Sequence, residues 1–209
     1  NSGMYIFDTP LLIKMLAFLK PQGAKKEYYL TDTLGLLKEN GKKVEVYKAE
    51  DFTEAMGINS KKQLAQAAAI MRAKTNDDFM AAGITIIHPE VTYIDATVKI
   101  GADSVIYPNS HIQGATVIGK NCVIGPDCWI ENSKIEDGAV IKSGSYITDS
   151  TVGKKCQVGP YAHLRPSAVL KEGAKVGNYV EIKKAVIGKG SKVSHLTYIG
   201  DTEMGSGVN

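Results

Sequence analysis

The chain has 209 residues, 44% of them hydrophobic, and a formal net charge of +3. This composition excludes a disordered or collagen-like polymer, and the apolar runs are far shorter than the roughly 20 residues of a membrane-spanning helix. The basic residues are few in excess and dispersed, so we predict neither a nucleic-acid partner nor membrane insertion. Three cysteines fit no disulfide or zinc pattern, which favours a cytoplasmic location. Because no initiator Met or leader precedes Asn1, we expect a fragment of a longer protein.

The first 59 residues are predicted to be a mixed α/β remnant, too short for a complete domain. We expect strands over residues 4–7 and 43–47, helices over 10–19 and 30–37, and a Pro/Gly loop over 21–23. Residues 60–84 are predicted to be a linking helix and an arm. This helix begins at the capping pair Asn59-Ser60, is rich in Ala, Lys and Gln, and ends at Gly83.

A six-residue repeat organises the rest of the chain, 85–209. Aliphatic residues recur at residues 94, 100, 106, 112, 118, 124, 130, 135, 141, 147, 152, 158, 164, 170, 176, 182, 187, 193, 199 and 204. The period is neither that of an amphipathic helix nor that of an alternating strand. Three hexads to a coil of about 18 residues predict a β-solenoid with the aliphatic column inside. A small residue, three times Cys, occupies the fifth position, and we expect it to face inward too.

Two details of the repeat carry further expectations. Glycine often follows the aliphatic residue, and these glycines are predicted to form the turns. Four steps are five residues long, and they begin at Ile130, Ile147, Ile182 and Ile199. Because these positions are about one or two coils apart, the short steps are predicted to lie on one edge of the solenoid.

Segments along the whole chain resemble one family. They are Asn-Ser-Gly at 1–3, Glu-Tyr-Tyr-Leu-Thr-Asp at 27–32, Gly-Ile-Asn-Ser at 57–60, Leu-Arg-Pro at 164–166, Val-Gly-Asn-Tyr-Val-Glu-Ile-Lys-Lys at 176–184 and Gly-Lys-Gly-Ser-Lys-Val-Ser-His-Leu-Thr-Tyr-Ile-Gly-Asp at 188–201. The chain thereby resembles the bifunctional bacterial N-acetylglucosamine-1-phosphate uridyltransferase and glucosamine-1-phosphate acetyltransferase. The resemblance implies a nucleotidyltransferase domain, a linking helix and a left-handed parallel β-helix that forms homotrimers. The Gly-rich nucleotide-binding opening and an aspartate that would share Mg²⁺ are missing.

The resemblance also implies two activities. One is acetyl transfer from acetyl-CoA to glucosamine 1-phosphate; the other is uridyl transfer from UTP, giving UDP-N-acetylglucosamine for the cell envelope. We expect the chain as given to be incomplete for both.

The implied site residues include a histidine that can cycle at neutral pH. His195 is predicted to be the general base. Arg165 and Lys183 lie 18 residues apart, so they should stack on adjacent coils, where two cations attract a phosphate. The resemblance adds Tyr198 and Asn209 as acceptor contacts, Asn1 as a sugar contact and Asn59 as a Mg²⁺ ligand. Asn59 alone is a poor Mg²⁺ site, and helix capping is its alternative.

Other functions remain open at this point. An acyltransferase for a different sugar nucleotide, or a non-catalytic β-helix that only trimerises or regulates, fits the same repeat. A zinc-dependent carbonic anhydrase built on hexapeptides needs three histidines together. His111 and His163 occupy the sixth hexad position and His195 the third, which argues against that cluster.

Overall fold

The computed structural model describes residues 3–209, and these separate into two compact units that divide between Leu64 and Ala65. The first unit contains helix α1 (Thr9–Leu16), helix α2 (Asp32–Glu39) and a 3₁₀ helix (Phe52–Ala55). The Asp8 carboxylate accepts the Leu11 N–H at 3.0 Å and caps α1. The two predicted helices are therefore present with shifted ends.

The two strands predicted in the first unit are wrong. Residues 4–7 and 43–47 are not strands, and the β-bridge found within residues 3–64 joins Gln22 to Glu27. A strand exists only as part of a hydrogen-bonded ladder with a neighbour. A local pattern of β-formers does not supply that neighbour.

Helix α3 (Lys61–Ala81) is the predicted linking helix. Ser60 caps it, because its hydroxyl accepts the Gln63 N–H at 3.2 Å, and the Gln63 side chain accepts the Asn59 N–H at 2.7 Å. Gly83 has a φ of +90° after its last turn, the left-handed ending typical of helices. Among the helices of residues 3–209, we find none with the length and apolarity that crossing a bilayer requires.

Residues 85–209 form a parallel β-helix of three seven-stranded sheets. Sheet I contains β1 (Thr85–Ile86), β4 (Val105–Ile106), β7 (Val123–Ile124), β10 (Val140–Ile141), β13 (Gln157–Val158), β16 (Lys175–Asn178) and β19 (Lys192–His195). Sheet II contains β2 (Tyr93–Ile94), β5 (His111–Gln113), β8 (Trp129–Glu131), β11 (Tyr146–Thr148), β14 (His163–Leu164), β17 (Glu181–Lys183) and β20 (Tyr198–Gly200). Sheet III contains β3 (Lys99–Ile100), β6 (Val117–Ile118), β9 (Lys134–Ile135), β12 (Thr151–Val152), β15 (Val169–Leu170), β18 (Val186–Ile187) and β21 (Glu203–Met204). The predicted parallel β-helix after a linking helix is confirmed. The segment predicted to be mixed α/β contains helices and a β-bridge within residues 3–64.

The aliphatic column lies inside the coils, as the repeat predicts. In sheet II, for example, Ile147 pairs in register with Ile130 and Leu164, and all three are fully buried. The fifth-position residues are buried as well, including all three cysteines. The core is therefore a set of stacked columns running along the helix axis.

The turn chemistry differs from the prediction. Apart from Gly159, which has a φ of +94°, the glycines after the aliphatic residues, such as Gly101 and Gly125, have no left-handed φ. A Cβ on Gly101 would lie 2.7 Å from the Gly119 carbonyl carbon, and one on Gly125 would lie 2.8 Å from the Ser143 nitrogen. These glycines are needed because the next coil passes too close for a side chain. The residues two positions after these glycines, most often Asn, Asp or Gly, adopt the left-handed backbone conformation of the turn.

The four five-residue steps of the repeat lie on one edge of the β-helix, as predicted. Asn132, Asp149, Lys184 and Asp201 follow strands of sheet II and have φ between +45° and +48°. Each short turn therefore lies on the edge between sheets II and III.

Candidate functional site

Arg165 and Lys183 lie one above the other at the carboxyl ends of neighbouring sheet II strands. Leu164 pairs in register with Ile182, and the Arg165 N–H donates to the Ile182 carbonyl at 2.8 Å. Each cation follows one of these inward residues, so adjacent coils hold the two residues about 4.8 Å apart. The structure thus has the stacking that the 18-residue spacing predicts.

Glu181 is a residue of this group that the sequence reasoning missed. Its carboxylate accepts a hydrogen bond from the Arg165 guanidinium at 2.6 Å, and both side chains are 38% exposed. This carboxylate offsets part of the electrostatic repulsion between the two stacked cations. Within residues 3–209 we find no ion pair that involves Lys183. The three charges sum to +1, which leaves the group suited to an anion.

Tyr198 joins this group from the next coil. It pairs in register with Glu181, and Gly200 pairs with Lys183. A Cβ on Gly200 would lie 2.7 Å from the Tyr198 Cζ, so the phenol ring lies across Gly200. The hydroxyl of Tyr198 is therefore directed along the strand toward the column that contains Lys183 and Arg165.

His195 is exposed and ends strand β19 of sheet I. It pairs in register with Asn178, and its carbonyl accepts the Thr197 hydroxyl at 2.7 Å. The two-residue turn Leu196–Thr197 then leads to Tyr198. The edge between sheets I and II thus separates the histidine from the cations, with Tyr198 between them.

The structure does not bring Asn209 to this group. The preceding residue, Val208, accepts the Lys192 N–H at 2.8 Å at the start of β19. His195 lies at the other end of that strand, about 10 Å away. Asn209 is exposed, and its role as an acceptor contact stays a prediction.

The residues predicted for the uridyltransferase half, Asn1 and Asn59, do not form a site among the described residues. Asn1 lies outside the described residues. Asn59 is exposed before helix α3, and residues 3–209 contain no group of three His, Cys, Asp or Glu side chains that could hold a metal ion. Mg²⁺ prefers carboxylate and phosphate oxygens together, so the described residues 3–64 do not fit it.

A second histidine adjoins the cation group. His163 pairs in register with Glu181. Burial lowers the pKa of His163; the Glu181 carboxylate acts to raise it and the Arg165 guanidinium to lower it further. The His163 ring meets the Tyr146 ring edge-on, at the end of a column in which Tyr146, Trp129, His111 and Tyr93 stack. His111 and His163 thus lie on sheet II and His195 on sheet I.

The three cysteines have no place in this chemistry. Cys122, Cys128 and Cys156 are buried and unpaired by disulfides. Burial raises the pKa of all three thiols, to about 11 for Cys128 and Cys156. A thiol held protonated in the core is a poor nucleophile.

The chemical capacity of the group follows from its parts. Two stacked cations can bind a phosphate, a phenol can bind a sugar hydroxyl, and a solvent-accessible imidazole can serve as a general base. This combination suits proton removal from a phosphorylated acceptor.

Comparisons with known proteins identify a matching family and several relatives. Residues 83–202 match the family model described as the GMPPB C-terminal domain. Over all 209 residues the chain is 49% identical to the bifunctional protein GlmU of Exiguobacterium sp. and 46% identical to that of Shouchella clausii, and it spans 46% of the length of each. The UDP-N-acetylglucosamine acyltransferase from Campylobacter jejuni is 17% identical, with a TM-score of 0.36 over 59% of this chain and 66% of that chain. The predicted resemblance to the bifunctional enzymes is confirmed by these relatives, and the chain belongs to the GMPPB C-terminal domain family through its β-helix.

Proposed function

We propose that residues 85–209 form the acceptor half of an acetyltransferase that acts on glucosamine 1-phosphate. The observation that carries this proposal is the stacked pair Arg165 and Lys183, with Glu181 and Tyr198 beside it and His195 across one turn. The 1-phosphate and the 2-amino group of this acceptor are on neighbouring carbons. A cation pair and a base on either side of one edge suit such a molecule.

The proposed reaction uses acetyl-CoA as the second substrate. The amine lone pair attacks the thioester carbonyl carbon, a C–N bond forms and the C–S bond breaks. The proton lost by nitrogen passes to His195 and then to the departing thiolate sulfur. His195 is therefore the base, Arg165 and Lys183 hold the phosphate, and Tyr198 orients the sugar. Glu181 keeps the Arg165 guanidinium in place through their hydrogen bond.

The relatives are named bifunctional, and the chain spans less than half their length. For the whole protein we propose uridyl transfer from UTP to N-acetylglucosamine 1-phosphate as the second activity, yielding UDP-N-acetylglucosamine. We also propose a homotrimer, which family resemblance supports. Light scattering of the chain tests this assembly, and a monomeric mass would refute it.

A calorimetric titration of the 209-residue chain with glucosamine 1-phosphate tests the proposed acceptor site. We expect saturable binding, because the proposed phosphate ligands all lie on sheet II. Arg165→Ala and Lys183→Ala should each weaken binding about tenfold or more, the effect of losing one charge-assisted hydrogen bond.

Two controls sharpen this titration. Lys175→Ala removes an exposed lysine from sheet I and should leave the affinity unchanged. Glucose 1-phosphate lacks the amine, and its binding separates phosphate recognition from amine recognition. Absence of binding by a chain shown to be folded by circular dichroism would overturn the proposed acceptor. Equal loss in Lys175→Ala would show non-specific attraction.

A further inference from the structure

Bulky apolar residues occupy three successive turns on the edge between sheets I and II. Tyr161, Tyr179 and Leu196 are 54%, 59% and 75% exposed. The rings of Tyr161 and Tyr179 stack with centroids 5.6 Å apart and planes inclined by 9°. Leu196 lies above them, since its N–H donates to the Asn178 carbonyl of the coil below at 3.1 Å.

The backbone at these three residues is left-handed, with φ of +52°, +53° and +48°. Side chains with a Cβ are disfavoured in this region, and large ones are more unusual there than Asn, Asp or Gly. Every other left-handed position of residues 85–209 holds Asn, Asp, Gly, Lys or Ser. The apolar exceptions lie only in the coils that carry Arg165, Lys183 and His195. Unfavourable backbone conformations of this kind cluster at functional sites.

Two of these residues adjoin the proposed base. Leu196 directly follows His195, and Tyr179 directly follows Asn178, the register partner of His195. Their Cα atoms are therefore within roughly 4–6 Å of that of His195. The other immediate neighbours of His195, namely Asn178, Ser194 and Thr197, are polar.

The chemistry places an acyl group in the same region. A general base works within about 3 Å of the proton it accepts, and a reacting amine lies about 3–3.5 Å from the carbon it attacks. The acyl carbon must then lie within roughly 7 Å of the imidazole of His195. Leu196 and Tyr179 are exposed residues whose backbone positions adjoin that of His195, whereas Tyr198, also exposed, is assigned to the sugar.

We propose that Leu196 and Tyr179 form the contact surface for the methyl group of the transferred acetyl, and so govern the acyl length that the site accepts. The inference rests on the proposed acetyl transfer to glucosamine 1-phosphate. Once the C–N bond has formed, the same methyl belongs to N-acetylglucosamine 1-phosphate. The product therefore reports on this surface without any need for the acyl donor.

Calorimetry of the 209-residue chain with two sugar phosphates tests the inference. The ligands are N-acetylglucosamine 1-phosphate and glucosamine 1-phosphate, which differ by the acetyl group. We expect Leu196→Asn, which retains a residue that tolerates the left-handed turn, to weaken binding of the acetylated sugar about fourfold. This is the effect of losing contact with one buried methyl group. Binding of glucosamine 1-phosphate should stay within twofold.

Tyr161→Asn is the matched control, because it makes the same kind of change on the same edge two coils below Leu196. It should leave both affinities within twofold. Tyr179→Asn serves as the second test variant should Leu196→Asn fail to fold by circular dichroism.

The outcomes separate the two proposals. An unchanged affinity of Leu196→Asn for the acetylated sugar, with both ligands bound, would overturn the contact surface and leave the proposed acceptor site standing. An equal loss of affinity in Tyr161→Asn would also overturn it, because substitutions on this edge would then weaken binding by disturbing the fold and not by removing a contact with the acetyl group. Failure of the unmodified chain to bind either sugar would overturn the proposed function and this inference with it.

Discussion

Replacement of Ile147 by Ala is expected to destabilise the β-helix by about 3–4 kcal/mol. Ile147 is fully buried between Ile130 and Leu164 of the neighbouring coils. The substitution removes three carbon atoms, worth roughly 0.8 kcal/mol each by transfer alone. A cavity term adds to this, because the coils above and below hold the backbone and limit collapse.

Urea unfolding followed by fluorescence measures this loss. The chain has a single tryptophan, Trp129, on strand β8, which pairs directly with the strand of Ile147. Its emission therefore reports on the β-helix and not on residues 3–64. Val117→Ala is the control: it shortens a side chain on the outer face that is 41% exposed, and it should cost less than about 1 kcal/mol.

The reasoning would be refuted by a loss below about 1 kcal/mol for Ile147→Ala, or by equal losses in the two variants. Either result would mean that the inner column is loosely packed. Unchanged slopes of the unfolding curves must accompany the comparison, because a changed slope indicates a different extent of unfolding.

Three further outcomes are expected. Cys122, Cys128 and Cys156 should not react with a thiol reagent at pH 8 until urea unfolds the chain, since burial raises their pKa values; rapid labelling of the native chain would contradict this. His163 should make stability fall as the pH drops below about 6.5, because its lowered pKa means that the unfolded chain binds the proton more readily; His163→Gln should flatten that decline in urea titrations between pH 7 and pH 5.5, and an unchanged decline would argue against it. Gly125→Ala should lower stability by at least about 1 kcal/mol, because its Cβ would meet the backbone at Ser143; an unaffected urea midpoint would show that the coils can separate at no cost.

The sequence by itself specifies the β-helix because each coil repeats one local rule. An aliphatic residue every six positions identifies the inward column, and the four short steps identify one edge. These features need no knowledge of distant contacts, since each coil packs only on its neighbours. Residues 3–64 lack such a repeat, and their expected strands are wrong because strand formation depends on a partner elsewhere in the chain.

The candidate site likewise contains residues that the sequence predicts and one that it did not. Spacing alone stacks Arg165 on Lys183, and family resemblance singles out His195 and Tyr198. Glu181 escaped the sequence reasoning, although it lies 18 residues after His163 and 17 before Tyr198. The coil arithmetic that stacks the two cations would have placed it beside them.

The sequence thus determined the coil, its core columns and the register of residues 17 or 18 positions apart, because these follow from a local repeat. Only the tertiary structure decided which groups meet around an edge. It forms the hydrogen bond from Arg165 to Glu181 and places the Tyr198 ring across Gly200. It also places Asn209 beside the start of β19, at the opposite end of that strand from His195. It also gives the glycine column its role, since the close approach of the next coil is a property of two chain segments together. Side-chain direction at a left-handed turn, as at Leu196, likewise depends on backbone geometry that composition does not encode.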